Sequence, residues 1–432
     1  MNKSVVNIYS EKKTARLQYI IQLIFNELLG LEVKLVDREF ENIHINYSHL
    51  SDKPGFWIKP DSLLFEEDLE PKNITKTEQW HGLETISINQ KPFDVFAASF
   101  YLVSRYEEYS GFTPDAHNRF SSYDSCLSKL QLLRKPLINQ WALKLLEILK
   151  TQNPDLKACP RSFEFISTID IDQAWKYKHK GFFRTMGGLF RDLVTRNFDE
   201  LSERISVLTG KREDAFFNFD WQNEFHKRFD TKVQYFFQVG KRGKFDKNTS
   251  SKNAPFRELI KRLNLSHFVG IHPSYNSNSD VARLKNEINT LQNILNQPID
   301  TSRQHFLVHQ FPKTYQNLIN QGIKNDYTLG YTTETGFRAG IASSFLFFDL
   351  TKNEATNLRC FPFCHMDITP LHYDQINLAQ AIEEMTELMT EVKKVGGLFV
   401  SLWHNESLSE NGRWKGWRPL YEATITQATK SY

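Results

Sequence analysis

Ser167-Thr-Ile-Asp-Ile-Asp172 closes an apolar run that starts at Phe163 and reads as a β-strand. Strand side chains alternate with period two, so Thr168, Asp170 and Asp172 share one face while Ile169 and Ile171 point the other way. Two carboxylates therefore converge at a strand end. Like charges this close push their pKa values apart unless a cation sits between them, which lets one act as a base and the other as a metal ligand. Further strand-like runs follow at Lys232–Gly240, Phe268–Ile271, His305–Val308 and Gly397–Trp403. They alternate with helical stretches near Phe256–Leu263, Ser279–Leu295, Thr314–Asn320 and Asn377–Val395. This rhythm predicts parallel strands joined by crossover helices, as a barrel or a doubly wound sheet. Either architecture carries its active site at the C-terminal ends of the strands.

Two more strand ends carry chemistry. The run Phe268-Val-Gly-Ile271 is followed by His272-Pro-Ser-Tyr-Asn276, which places an imidazole just past a strand terminus, where it suits zinc and similar ions. The last run, Gly397-Leu-Phe-Val-Ser-Leu-Trp403, ends at His404, with Val400, Leu402 and His404 on one face. An imidazole there has the near-neutral pKa of a general acid.

Upstream, Leu17, Ile20, Ile21, Ile24, Leu28 and Leu29 recur at helical spacing and Gly30 supplies a stop. Short runs at Leu31–Val36 and Ile43–Tyr47 read as strands, and Asp94–Tyr109 and Leu137–Leu149 as helices. A smaller α+β domain over residues 1–155 is predicted, followed by a polar linker with two prolines, Thr151–Pro160, and a second domain over 160–432. Two domains suit a chain of 432 residues, because single cores stop growing near about 250–300 residues. Lys plus Arg number 54 against 51 Asp plus Glu, which leaves no electrostatic footprint for nucleic acid or an anionic membrane. The N-terminus has no apolar stretch of signal-peptide length and no window approaches a membrane span, so a cytoplasmic chain without a transmembrane segment is expected. The four cysteines are expected to be reduced structural thiols.

In order along the chain, Thr168-Ile-Asp-Ile-Asp172, Gly270-Ile-His-Pro-Ser-Tyr275, Arg303-Gln-His305 and Ser401-Leu-Trp-His404 resemble the successive motifs of the polysaccharide deacetylase family, the nodulation-B-homology fold. With the stretch Phe93–Tyr109 upstream, the arrangement looks like a cytoplasmic branch found in bacteria that build complex surface polysaccharides. The resemblance implies a distorted (β/α) barrel over residues 160–432 and metal-assisted hydrolysis of an N-acetyl group on an amino sugar, releasing acetate. It implies Asp170 as general base, Arg303 as its orienting partner, His404 as general acid, and Asp172 and His272 as ligands of a divalent ion, zinc first, with cobalt or nickel as alternatives. Asp326 and Asp367 are rival supporting residues.

The family has a second histidine four residues after the first, and here that position is Asn276. An amide oxygen is a poorer ligand than imidazole, so metal affinity is expected to fall unless Asn276 is joined by another group, such as His305 or a water. Tyr275, Trp403 and Trp414 are candidate sugar-binding residues, with Arg413, Lys415 and Arg418 placed to meet an acidic glycan. Gly336–Gly340 reads as a tight turn with an alternative role near a phosphate, and Lys241–Lys244 as a solvated loop. A glycan-binding or assembly protein without catalysis, and a deacylase or deformylase acting on another C–N bond, are the competing functions on the same fold.

Overall fold

The structure, a computed structural model, describes residues 4–37, 42–109 and 111–430. Strands β1 (Val5–Ser10), β2 (Glu32–Val36), β3 (Ile45–Tyr47) and β4 (Phe56–Ile58) form a small sheet in the order β2-β1-β3-β4. Every pair in it is parallel. The helical run from Ala15 to Leu28 serves as the crossover between β1 and β2, so this sheet is built in the parallel α/β manner. Thr14 caps that run, its hydroxyl accepting from Leu17 N. β5 (Ile74–Trp80) and β6 (Leu83–Ile88) add an antiparallel hairpin. The helix Val95–Val103 is buried on every side, and Asp94 caps it with both Phe96 N and Ala97 N.

Nine strands build the second sheet: β7 (Glu164–Ile171), β8 (Val233–Phe237), β9 (Phe268–Ile271), β10 (Thr301–Ser302), β11 (Asn325–Asp326), β12 (Phe345–Asp349), β13 (Glu354–Cys360), β14 (His365–Met366) and β15 (Leu398–His404). Their order is β12-β13-β11-β10-β9-β8-β7-β15-β14. Among the described residues of this sheet only the β12–β13 pair is antiparallel. Helices Ala254–Asn264, Val281–Leu295, Lys313–Asn320 and Leu378–Lys394 lie in the connections, so the C-terminal strand ends fall on one side.

β13 and β14 lie near opposite edges of this sheet, yet only residues 361–364 separate them. That bridge is bonded to both sides, Phe361 N to Asp326 O and Cys364 N to Val400 O. The sheet therefore curls strongly, enclosing Phe236, Tyr327, Phe363, Val400 and Leu402 as an inner apolar cluster. Among the described residues it keeps two edges and forms no closed ladder, so the α/β sheet is curled and a closed barrel is not shown.

The run His305–Val308, expected as a strand, is a short turn instead. Phe306 and Leu307 take φ values of 58° and 52°, in the left-handed region that no strand can accommodate. The strand lies just upstream, at β10.

Both halves share one continuous core. Tyr19 packs against Phe348 at 5.1 Å between ring centroids and donates its hydroxyl to Leu346 O at 2.6 Å. Gly396, at φ 56°, lets the β15 entry approach the linker: a β-carbon there would collide with the Arg161 carbonyl. Arg338 of the Gly336–Gly340 loop is buried against Glu108, which makes that loop a structural turn rather than a phosphate cradle. Cys126, Cys360 and Cys364 are buried free thiols, and Cys159 is exposed.

Candidate metal centre

The parallel strands deliver polar side chains to one rim. β7 carries Asp170 one residue before its end and leads to Asp172; β9 leads to His272; β10 leads to Arg303 and His305; β14 leads to Asp367; β15 ends in His404. The register pairs His404 with Asp170 across adjacent strands.

Asp172, His272 and His305 offer ligand atoms that all lie within 4.8 Å of one another. His272 Nε2 stands 3.2 Å from Asp172 Oδ1, and His305 Nε2 stands 3.5 Å from Asp172 Oδ2. The other nitrogen of each ring is already engaged. His272 Nδ1 donates to Arg303 O at 2.6 Å, and His305 Nδ1 donates to Asp246 Oδ1 at 2.9 Å. With the proton on Nδ1, both Nε2 atoms are lone pairs aimed at a carboxylate, an arrangement that needs a cation between them. Asp172 Oδ1 is buried and lacks a hydrogen-bond donor, as such a ligand atom should. Two imidazoles and one carboxylate are a donor set suited to zinc and to neighbouring divalent ions. The three residues therefore fit a divalent metal.

The electrostatics agree. Burial would raise the Asp172 carboxyl, but His305 and His272 outweigh it and hold it well below the usual carboxylate range. Burial would lower His305, yet Asp172 and Asp246 bring it up to about 9, so a proton occupies the place of the metal when none is bound.

A second constellation flanks the first. Arg303, fully buried, donates from Nη1 to Asp170 Oδ1 at 2.9 Å and from Nε to Tyr327 O at 3.0 Å. Phe236 lies under the guanidinium at 4.7 Å. Asp170 Oδ2 is 3.7 Å from His272 Nε2, beside the candidate metal ligands. His404 Nδ1 faces both oxygens of Asp367 at 3.1 Å, and His404 N also donates to Asp367 Oδ2 at 2.7 Å. Burial would lower His404, but Asp367, Asp172 and Asp170 raise it to about 10.

Of the two rival supporting residues, Asp367 meets His404, whereas Asp326 works one layer back. Asp326 accepts from Ser302 Oγ, Thr328 N and Thr328 Oγ1, and Thr328 Oγ1 in turn accepts from Gln304 N, next to Arg303. Asn276 is exposed on the turn after His272, and the third ligand position falls to His305. Trp403 and Trp414 are corrected as sugar contacts, because both are buried. Trp403 faces away from the inner cluster, donates to Ser401 Oγ and packs on Tyr421 at 4.9 Å. Tyr275 is half-buried in an aromatic rim, 4.3 Å from Phe245 and 5.6 Å from Phe306.

Four further contributors carry no local sequence signature. Gln238 Nε2 donates to Asp246 Oδ1 at 2.7 Å, and Tyr275 N donates to the same oxygen at 2.9 Å, which anchors the carboxylate behind His305. From the N-terminal half, Arg119 Nη1 donates to Phe306 O at 2.7 Å, and His117 Nδ1 meets Tyr275 Oη at 3.2 Å. Arg119 thereby holds the left-handed turn that follows His305. The partners of His117 and Arg119 are more than a hundred positions away, beyond the reach of any spacing rule.

Residues 6–154 match the model of a family of unknown function (DUF7033). The comparison with curated proteins gives no match. Among solved structures, the chain is similar to a polysaccharide deacetylase from Bacillus cereus, at 14% identity, 61% of this chain, 87% of that chain and a TM-score of 0.29. It is similar to a CE4 family pseudoenzyme from Bacillus anthracis, at 12% identity, 62% of each chain and a TM-score of 0.32. An allantoinase is similar at 10% identity, 62% of this chain, 84% of that chain and a TM-score of 0.38.

Proposed function

We propose that this chain is a metal-assisted amidohydrolase that removes the N-acetyl group from an amino sugar of a glycan or glycan precursor, releasing acetate. One observation carries the reading: a metal-fitting triad, Asp172, His272 and His305, lies beside a carboxylate held by arginine, which pairs across adjacent strands with an imidazole held by a carboxylate. That is the division of labour amide hydrolysis requires.

A divalent ion, when bound, supplies a Lewis acid for the amide carbonyl and lowers the pKa of water. Asp172, His272 and His305 would hold it. Asp170, fixed by Arg303, takes the proton of the attacking water. Arg303 shares Asp170 Oδ1 and so leaves Oδ2 directed to the site. His404, with Nδ1 committed to Asp367, presents Nε2 to the leaving nitrogen. Asp367 favours the charged form of this imidazole, so His404 can donate a proton as the C–N bond breaks. The rim of Tyr275, Phe245 and Phe306 offers aromatic faces on which a pyranose ring would stack. We read residues 1–155 as an accessory unit that completes this rim through His117 and Arg119.

The test is acetate release from N-acetylglucosamine oligomers by protein loaded with zinc or cobalt. Asp170→Asn and His404→Ala are each expected to lower kcat by about 10²–10⁴-fold, the range of general acid and base contributions, with metal affinity nearly unchanged. Metal binding without acetate release from any N-acetylated sugar would sink the deacetylase reading. Glycan binding in that same protein would establish the non-catalytic alternative that Asn276 first suggested.

A further inference from the structure

After β7 the chain enters a helical hairpin, Phe182–Val194 and Phe198–Leu208. Its two helices are clamped by a buried ion pair, Arg204 Nε donating to Asp192 Oδ2 at 2.6 Å. The Arg204 guanidinium lies against Gly188, where any side chain would strike it. The inner face of the first helix is therefore spoken for by protein.

Its outer face is not. Phe183, Met186, Phe190 and Leu193 recur at intervals of three and four residues and so form one stripe, flanked by Phe182 and Val194. These six side chains are between 48% and 89% exposed. The second helix adds exposed Phe198, Ile205 and Leu208. Single exposed apolar residues are ordinary, but a set of this size on one short hairpin marks an interaction surface.

Charge identifies the occupant. Between residues 176 and 212 there are nine Lys and Arg against four Asp and Glu, whereas the whole chain has an excess of only three. Lys180 and Arg184, at the start of the hairpin, join Lys241, Arg242, Lys252 and Arg283 around a cavity of about 900 Å³, where they outnumber Asp280 and Glu287. Burial, with Arg184, Arg204 and Arg242 nearby, pushes the Lys180 ammonium down to about 7. Cations crowded in this way form a receptor for anions. A second copy of the chain would bring two such basic hairpins face to face, which charge repulsion opposes. An anionic surface with an apolar interior satisfies both features.

We propose that the hairpin docks flat on an anionic phospholipid bilayer, with Phe183, Met186, Phe190 and Leu193 among the acyl chains and the surrounding cations on lipid phosphates. An amphipathic helix with a basic surround lies in the interface plane in this manner. Among the described residues no helix is long and apolar enough to cross a membrane, so the contact is with one leaflet.

The experiment is flotation of the full chain with vesicles of phosphatidylcholine mixed with phosphatidylglycerol, and with vesicles of phosphatidylcholine alone. The wild type is expected to float with the mixed vesicles and far less with the neutral ones. The double variant Phe183→Glu, Phe190→Glu should lose at least about tenfold in vesicle affinity. Its thermal unfolding should match the wild type, because both side chains point into solvent. Wild type that stays at the bottom with both vesicles, or a double variant that floats equally well, overturns the proposal. A dimer that the double variant dissociates, without flotation of the wild type, also overturns it and assigns the face to a second copy.

Discussion

His305→Ala is expected to lower affinity for zinc by about 100-fold or more, read by isothermal titration of metal-free protein. The magnitude follows from the role of the side chain. Loss of an outer partner of a metal ligand alone costs about 10–100-fold, and His305 is itself one of three ligands. Asp246→Asn, which removes the carboxylate that fixes the His305 tautomer, should fall within that outer-partner range. Asn276→Ala should leave affinity nearly unchanged, because the amide is exposed on its turn. The pH dependence has a definite sign. His305 is raised to about 9 in the absence of metal, so an entering ion must displace a proton, and wild-type affinity should fall as pH is lowered below that value. Equal affinities in His305→Ala and wild type would move the metal elsewhere.

Glu108→Gln is expected to destabilise the fold by about 3–5 kcal/mol, the cost of removing one partner from a buried ion pair. Glu108 Oε1 accepts from Arg105 Nε at 2.6 Å and from Arg338 Nε at 2.9 Å, and Oε2 accepts from Arg338 Nη2 at 2.5 Å. All three residues are buried, and Arg105 reaches Arg338 O as well. The cluster joins the N-terminal half to the loop between β11 and β12, so its loss removes the carboxylate that faces Arg338 and leaves Arg105 with Glu107 alone at the junction. Burial alone would raise the Glu108 carboxyl, but Arg338 and Arg105 outweigh it and hold it at about 2. A depressed folded-state pKa stabilises the protein above the unfolded value near about 4.3, and that contribution disappears as pH falls toward 2. Urea midpoints should therefore separate wild type from Glu108→Gln widely at pH 7 and converge as pH drops through this window. A separation that does not change with pH would mean that the glutamate contributes through packing rather than charge.

The parts of the site legible in the sequence are those fixed by local rules. An apolar run followed by a polar residue places Asp170, Asp172, His272 and His404 at strand ends, and period-two alternation assigns their faces. The same alternation puts Trp403 opposite His404. In the structure Val400 and Leu402 belong to the inner cluster while Trp403 joins the outer core, so its expected contact with sugar conflicts with its own pleat. β10, β11 and β14 have two residues each, too few to display a period. His305 is the instructive case. Its neighbours Phe306 and Leu307 have the composition of a strand but are held in left-handed geometry, with Arg119 binding the Phe306 carbonyl from 187 positions away. Asp246 and Gln238 reach the centre only because the loop after β8 folds back on it. In the N-terminal half, the helix from Ala15 is readable by spacing. The parallel pairing of β1 with β2 and β3 is a tertiary choice that spacing does not encode.

The metal centre is tested most directly by anomalous diffraction from crystals of cobalt-loaded protein, recorded on either side of the cobalt edge. The expected result is a single strong peak within coordination distance of Asp172, His272 Nε2 and His305 Nε2, about 2.0–2.2 Å from each ligand atom. A peak coordinated by Asn276 instead of His305, or no peak at these strand ends, would contradict the account.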